Sequence, residues 1–313
     1  MKCLENPIWN DFTRDELRKL KVDEPNEICR KKVLKNWDAI AKPLDGMGKF
    51  ETLIAKIGAI TGTEEIDITK KSVVIICADN GIVEENVSQS GQEVTVAVAK
   101  AMGKGQSCVG QMAKAVGADT IPIDIGINSK ESIPGVISRK VRCGTRNFRK
   151  EPAMTETETI RAIAIGIDIA FRCKNKGYQI LAMGELGIGN TTTSSAVAAA
   201  LLKCEVQKVT GRGAGLNDTG FARKQKVIEE AIQKYDLYHA DALTILRTVG
   251  GLDVAGLVGL CIGGAMCHLP VVLDGVISMV AALLSERLVP GTKERSEERR
   301  VGKECRSRWS PYH

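Results

Sequence analysis

The sequence predicts an α/β protein: a Rossmann-like, mostly parallel sheet flanked by helices, with a smaller helical subdomain from the N-terminal segment. Three observations predict it. Short unbroken apolar runs rich in Val and Ile recur along the chain, as in Ser72–Ala78. Longer stretches with helical spacing lie between them, as in Thr157–Asn175. Residues 1–70 carry helical spacing but no convincing strand run. Strands covered on both faces read as continuous apolar runs, and their alternation with helices marks a layered α/β fold.

In chain order, helices are expected at Arg14–Lys21, Asn26–Asp38 and Lys49–Ile60, forming the subdomain of residues 1–70. The α/β core of residues 71–294 opens on strand Ser72–Ala78, which runs into an Asp-Asn-Gly turn, the residue types that break a strand. Helix Glu93–Val116 and strand Thr120–Gly126 follow, then helix Thr157–Asn175 and strand Tyr178–Met183. An Ala-rich helix, Thr192–Leu202, precedes helices Thr219–Lys234 and Asp241–Val249, and Pro270–Asp274 closes the set as a strand. From Arg295 the composition changes, with six Lys/Arg and three Glu up to His313. Val301, Cys305, Trp309 and Tyr312 share no helical face there. This segment, 295–313, reads as a non-native basic tail resembling a translated sequencing adapter, and such scars are excluded from fold reasoning.

Composition narrows the function classes. Of the 313 residues 43% are hydrophobic and 26% charged, as in ordinary globular proteins. No run reaches the roughly 18 apolar residues that span a bilayer, and Met1–Asn6 shows no signal region, so a cytoplasmic home is expected. The ten cysteines are scattered without a C-x-x-C pair; free thiols are expected, several as small buried hydrophobes. The three histidines have no ligand-like spacing, and no metal is expected. The net charge of +6 owes half its excess to the tail, and the body has no basic stripe interleaved with aromatics. Nucleic acid is therefore not an expected partner.

Two glycine loops carry the chemistry. Gly184-Glu-Leu-Gly-Ile-Gly-Asn-Thr-Thr-Thr193 joins a strand to a helix. Its glycines let backbone amides approach a ligand, and its Asn and Thr sit at the positive end of the helix, a ready phosphate site. Glu185 would repel a phosphate, so it suits a ribose hydroxyl better. A second loop, Thr210–Gly220, opens another helix and leads to Lys224, a candidate point charge for the same phosphate. Two such loops place a crevice at the carboxyl edge of the sheet. A third constellation, Cys77–Thr95, puts Asp79 and Asn80 at the end of a strand and Ser88 in a polar loop. Each has a blander reading: a cap, a turn or a solvated lysine.

Together with Lys42–Gly48, Glu151–Thr155, Val249–Ala255 and Val272–Ser278, these segments occur in the order seen in the nicotinate-nucleotide:dimethylbenzimidazole phosphoribosyltransferase family. The chain resembles that family from about residue 5 to about residue 290, and the Gly184–Thr193 string is close to diagnostic. Departures are Leu186 for the usual Met, Asn80 for His and Val276 for Phe. The resemblance implies transfer of phosphoribose from nicotinate mononucleotide to 5,6-dimethylbenzimidazole or a related base, giving α-ribazole 5'-phosphate and nicotinate during cobalamin assembly. It implies no cofactor and a homodimer. It places donor phosphate and ribose at Gly187, Gly189, Asn190, Thr191, Gly213, Glu185 and Lys224, the base pocket at Asp79 and Ser88, and Asp253 and Asp274 near the crevice.

The family's general base is a glutamate in a Ser-His-x-Ser-x-Glu-like motif. None of Glu294, Glu297, Glu298 or Glu304 stands in such a string, so the role is carried to no residue here. Impaired turnover and weak donor binding are expected. Two other classes remain: a non-catalytic binder of azole bases or nucleotides, and a nucleic-acid-binding protein acting through its basic tail.

Overall fold

A computed structural model describes residues 12–298. Three N-terminal helices, α1 (Arg14–Lys19), α2 (Glu27–Asp38) and α3 (Lys49–Thr61), precede the first strand. Thr13 and Glu16 form a capping box on α1, and the Asn26 side chain accepts two backbone N–H bonds at the start of α2. The chain continues through β1 (Lys71–Ala78), α4 (Glu93–Gly103), α5 (Cys108–Ala115), β2 (Ala118–Gly126), β3 (Ile137–Ser138), α6 (Glu156–Asn175) and β4 (Ile180–Leu186). Then come α7 (Asn190–Leu202), α8 (Val206–Val209), α9 (Asp218–Lys234), α10 (Ala242–Val249), α11 (Leu252–Met266), β5 (Val271–Leu273), α12 (Val276–Leu288) and β6 (Ser296–Glu298).

The six strands form one sheet in the order β3-β2-β1-β4-β5-β6, with every pair parallel. This is the doubly wound Rossmann order; the apolar runs predict a Rossmann-like, mostly parallel sheet but not the order of its strands. The order in which strands are added reverses between β1 and β4, and the crevice at that switch point is where such sheets bind ligands. One face of the sheet carries the main core, built from β1, β2 and β4 against α6, α7, α10, α11 and α12. The other face is covered by α4 and α5, with Ile75, Cys77 and Ala99 forming a second cluster with Ile127 and Ile133.

The departures from expectation have physical causes. Glu93–Val116 is two helices: Gly105 adopts φ +68°, and the Ser107 hydroxyl then caps α5 by accepting from Gly110 N. Every residue of α11 from Leu252 to Ala265 is buried, so it has no amphipathic face and periodicity does not reveal it. Its approach to α6 is close enough that a Cβ on Gly259 would lie 1.9 Å from the Ile163 carbonyl oxygen. The sheet also runs past the boundary expected at Glu294. Arg295 is buried, donating to the Ile60 and Asp23 carbonyls, and Ser296–Glu298 pair with β5. The rest of the expected tail, including Val301, Trp309 and Tyr312, lies outside the described residues, as do Cys3 and Cys305. Among the described residues no helix is long and apolar enough to cross a membrane.

Candidate active site

The first glycine loop leaves β4 and enters α7 at the switch point. Gly189 serves as N-cap with φ +96°, a left-handed conformation that costs glycine nothing. Gly187 is required for space: a Cβ there would lie 2.1 Å from the Ala78 carbonyl oxygen and 2.7 Å from Asp253 Oδ2. Strand β1, the loop and the start of α11 therefore meet without a gap. Asn190, at the first position of α7, is buried and its side-chain amide donates to Glu185 Oε2.

The second glycine loop closes over the next residue of α7. Lys224, on α9, is fully buried rather than solvated. Its ammonium donates to Thr191 Oγ1 at 2.9 Å and to the Gly211 carbonyl at 3.0 Å. Gly213, at φ +60°, sits so near that a Cβ would come 2.9 Å from Thr191 Oγ1. An ammonium has three donors, and among the described residues no carboxylate pairs with this one. Burial among neutral groups lowers its pKa to about 8. Thr191, Gly211 and Gly213 also line an open cavity of about 590 Å³, whose lining includes the apolar Leu202, Val276 and Met279. Cavities of this size suit small-molecule ligands.

The carboxylates divide into groups. Burial raises the Glu185 carboxyl to about 7, helped by the charges of Asp253 and Asp274 and opposed by the Asn190 hydrogen bond. Asp253 is raised to about 6, again chiefly by burial, although it accepts from Val254 N and from Asn80 Nδ2 at 3.3 Å. Asp274 is exposed at the carboxyl end of β5. Asp79 belongs elsewhere: its Oδ2 accepts from Asn128 N at 2.7 Å, burial raises its pKa, and the charges near it are those of Asp124 and Lys140.

Asp79, Asp253 and Ser88 lie apart from the cavity that Thr191 and Gly211 line. Asp79 and Asp253 both have zero exposure: Asp79 accepts from the Asn128 N–H, Asp253 from the Val254 N–H and the Asn80 amide. Ser88 is half-buried and lines a separate cavity of about 280 Å³ with Asn86, Leu216 and Arg223. Its neighbour Gln89 donates to the Gly215 carbonyl, tying this loop to the second glycine loop. Asn80 has no role legible in its own segment; its bond to Asp253 joins residues far apart in sequence and leaves no local signal.

The Glu185 shift has a consequence for stability. Between the ordinary carboxylate pKa of 4.5 and about 7 the folded state holds a proton that the unfolded chain has lost. Glu185 therefore stabilises the fold at low pH, and this is lost as pH rises through 7. Glu185→Gln is expected to abolish that slope and to be the more stable protein at pH 8, by roughly 1–2 kcal/mol. Thermal melts of both proteins from pH 5 to 8.5 check this.

Comparisons with known proteins identify the family and the fold. A family model described as Phosphoribosyltransferase matches residues 22–296. The protein named nicotinate-nucleotide--dimethylbenzimidazole phosphoribosyltransferase in Clostridium perfringens (strain ATCC 13124) is 45% identical over 257 residues, covering 82% of this chain and 71% of that protein. Its namesake in Acetivibrio thermocellus is 41% identical over 273 residues, covering 86% of this chain and 76% of the relative. Among solved structures, CobT from Thermus thermophilus superimposes with a TM-score of 0.82 at 32% identity, covering 87% of this chain and 81% of that one.

Proposed function

Because the chain belongs to the phosphoribosyltransferase family that these relatives represent, we propose that it transfers phosphoribose from nicotinate mononucleotide to 5,6-dimethylbenzimidazole or a related base. The products are α-ribazole 5'-phosphate and nicotinate, and the activity is a pentosyltransferase step of cobalamin assembly. One observation carries the reading: a buried ammonium, Lys224, sits where the two glycine loops meet and, among the described residues, is held by neutral oxygens. An oxyanion that replaces the Gly211 carbonyl restores its charge balance, and the N-terminus of α7 adds its partial positive charge.

With phosphate there, the donor's ribose falls toward Glu185 and Asn190. The nicotinate ring nitrogen is already cationic in the donor, so it leaves neutral and needs no acid. A benzimidazole nitrogen attacks the anomeric carbon from the opposite face and inverts β to α. The proton on the other benzimidazole nitrogen then becomes acidic and must pass to a base, a transfer typically worth about 10²–10⁴-fold. That role is assigned to neither Glu185 nor Asp253, since one is bonded to Asn190 and the other is sealed from the crevice. Holding both substrates in line supplies part of the acceleration without a base.

We expect the 313-residue chain to release nicotinate slowly, with activity rising when a relative's Ser-His-x-Ser-x-Glu-like segment is joined to it. Chromatographic detection of α-ribazole phosphate decides between the readings. Tight base binding with no product from either protein would favour a non-catalytic binder. Salt-dependent oligonucleotide binding lost on deleting residues 295–313 would favour the nucleic-acid reading. A homodimer and a cytoplasmic setting are part of the same proposal.

A further inference from the structure

A second cavity, of about 250 Å³, lies between α3 and the sheet. Ile180, Pro270 and Arg295 line it, and these residues open or immediately precede β4, β5 and β6. The cavity therefore sits at the amino ends of the strands, opposite the carboxyl edge where the glycine loops lie. It shares no lining residue with the cavity beside Thr191. Ile54 and Ile57 supply its α3 side, and most of its lining is aliphatic.

Three charged residues line this space, and two of them cancel. Lys56 and Glu297 pair at 3.2 Å, and the Lys56 ammonium also donates to the Ser296 carbonyl at 2.7 Å. Arg295 is left in surplus. It is 1% exposed, yet its guanidinium meets only neutral groups among the described residues. Nη1 donates to the Ile60 carbonyl at 2.8 Å and lies 3.0 Å from His268 Nδ1, while Nη2 donates to the Asp23 carbonyl at 2.7 Å. Its Nε is buried and has no hydrogen-bond partner among the described residues. Burial lowers its pKa, opposed by the charge of Asp23, whose exposed carboxylate lies 4.0 Å from His268 Nε2. A guanidinium does not shed its proton in a protein, so burial leaves a charge that calls for a counter-ion and a donor that calls for an acceptor.

We infer that this cavity binds a small aromatic carboxylate, its ring among the isoleucines of α3 and β4 and its carboxylate on Arg295. The inference does not rest on the proposed function.

Size and chemistry both support this ligand class. An apolar cavity of roughly 150 Å³ stays dry and takes benzene, so 250 Å³ has room for a ring that bears a carboxyl group. The carboxylate accepts from the Arg295 Nε–H in a charge-assisted bond and balances the one unpaired charge of the lining. A ring nitrogen set among Ile and Val side chains would lose its hydrogen bond to water without gaining another. Nicotinate is therefore a poor occupant, which separates this site from the donor crevice. Since Arg295 joins the Asp23 segment and the end of α3 to the start of β6, an occupant ties the N-terminal helices to the edge of the sheet.

Methyl carbon-13 NMR of the full chain, titrated at pH 7 with benzoate, benzamide or nicotinate, tests the site. The Ile57 methyl resonance reports affinity at this cavity alone and is blind to binding in the crevice. Benzoate should shift Ile54, Ile57 and Ile180 in a saturable way and leave Met279 unmoved. It should bind at least about tenfold tighter than the neutral benzamide and at least about fivefold tighter than nicotinate. In Arg295→Met, which removes the charge, and in Ile57→Phe, read at Ile54, which fills the space, benzoate affinity should fall by about tenfold or more. Shifts centred on Met279, or none that saturate, overturn the site. Benzamide or nicotinate binding as tightly as benzoate overturns the ligand class, and none of these results needs a variant to fold. Undiminished benzoate affinity in a folded Arg295→Met protein overturns the role of the guanidinium.

Discussion

Lys224→Met is expected to weaken binding of nicotinate mononucleotide by two orders of magnitude or more, about 3 kcal/mol, while the fold survives. Truncating one side of a buried, hydrogen-bonded charge pair costs about 2–5 kcal/mol, and the proposed pair forms only when phosphate arrives. Without ligand the balance differs. Methionine relieves the burial of a charge that has no counter-ion among the described residues but leaves Thr191 Oγ1 and the Gly211 carbonyl without their donor. These effects oppose each other, each on the order of 1–3 kcal/mol, so melting of the unliganded variant should stay within a few degrees of wild type. A variant that unfolds instead would mark Lys224 as structural.

The pH dependence gives the same residue a signature of opposite signs. Its folded-state pKa, about 8, lies below the ordinary 10.5. Between those values the unfolded chain holds a proton that the folded state has shed, so stability rises with pH across that window. Below pH 8 both states are protonated and the burial penalty is fully present. Donor affinity moves the other way, falling about tenfold per unit above pH 8 as the ammonium disappears. Calorimetry and melting curves from pH 7 to 10 on wild type and variant test both slopes.

The second large effect concerns the body of the protein. Gly259→Ala is expected to destabilise it by about 3 kcal/mol, lowering the melting temperature by roughly 6 °C or more. An ordinary Gly→Ala change within a helix gains about 1 kcal/mol. Here the added methyl would lie 1.9 Å from the Ile163 carbonyl oxygen and 2.9 Å from Gly166 Cα, both backbone atoms of α6 that cannot rotate away. Gly166 makes the reciprocal approach, its would-be Cβ lying 2.1 Å from the Gly256 carbonyl oxygen. The two helices must separate, and tight packing on both sides carries the disturbance into the sheet. Denaturant unfolding measures the cost; an unchanged or higher midpoint would show that the helices slide apart freely.

Much of this architecture is legible in the sequence because parallel strands announce themselves as apolar runs. β1, β2, β4 and β5 all fall on such runs, their ends shifted by no more than a few residues. β3 has two residues and β6 three, too short for any pattern. α11 is hidden by its own burial, since a helix apolar on all sides has no period to detect. Within the site, the glycine loops stand out because backbone freedom is written in residue type. The burial of Lys224 was readable from spacing: Gly220, Val227, Ile228 and Ala231 lie on the same face of α9 and are buried with it. The Asn80–Asp253 bond was not, because a contact between distant segments becomes visible only when the chain is folded.

The position of β1 has a cost during synthesis. The first strand made becomes the centre of the sheet, and Lys71 pairs with Ile180 on one side and Ala118 on the other. At ordinary translation rates its second neighbour leaves the ribosome roughly 5–20 s after it does. Through that interval one edge of an Ile- and Val-rich ribbon has no partner and is open to pairing with other nascent chains. Lowering the growth temperature or co-producing chaperones should therefore raise soluble yield more effectively than any polishing of the mature surface.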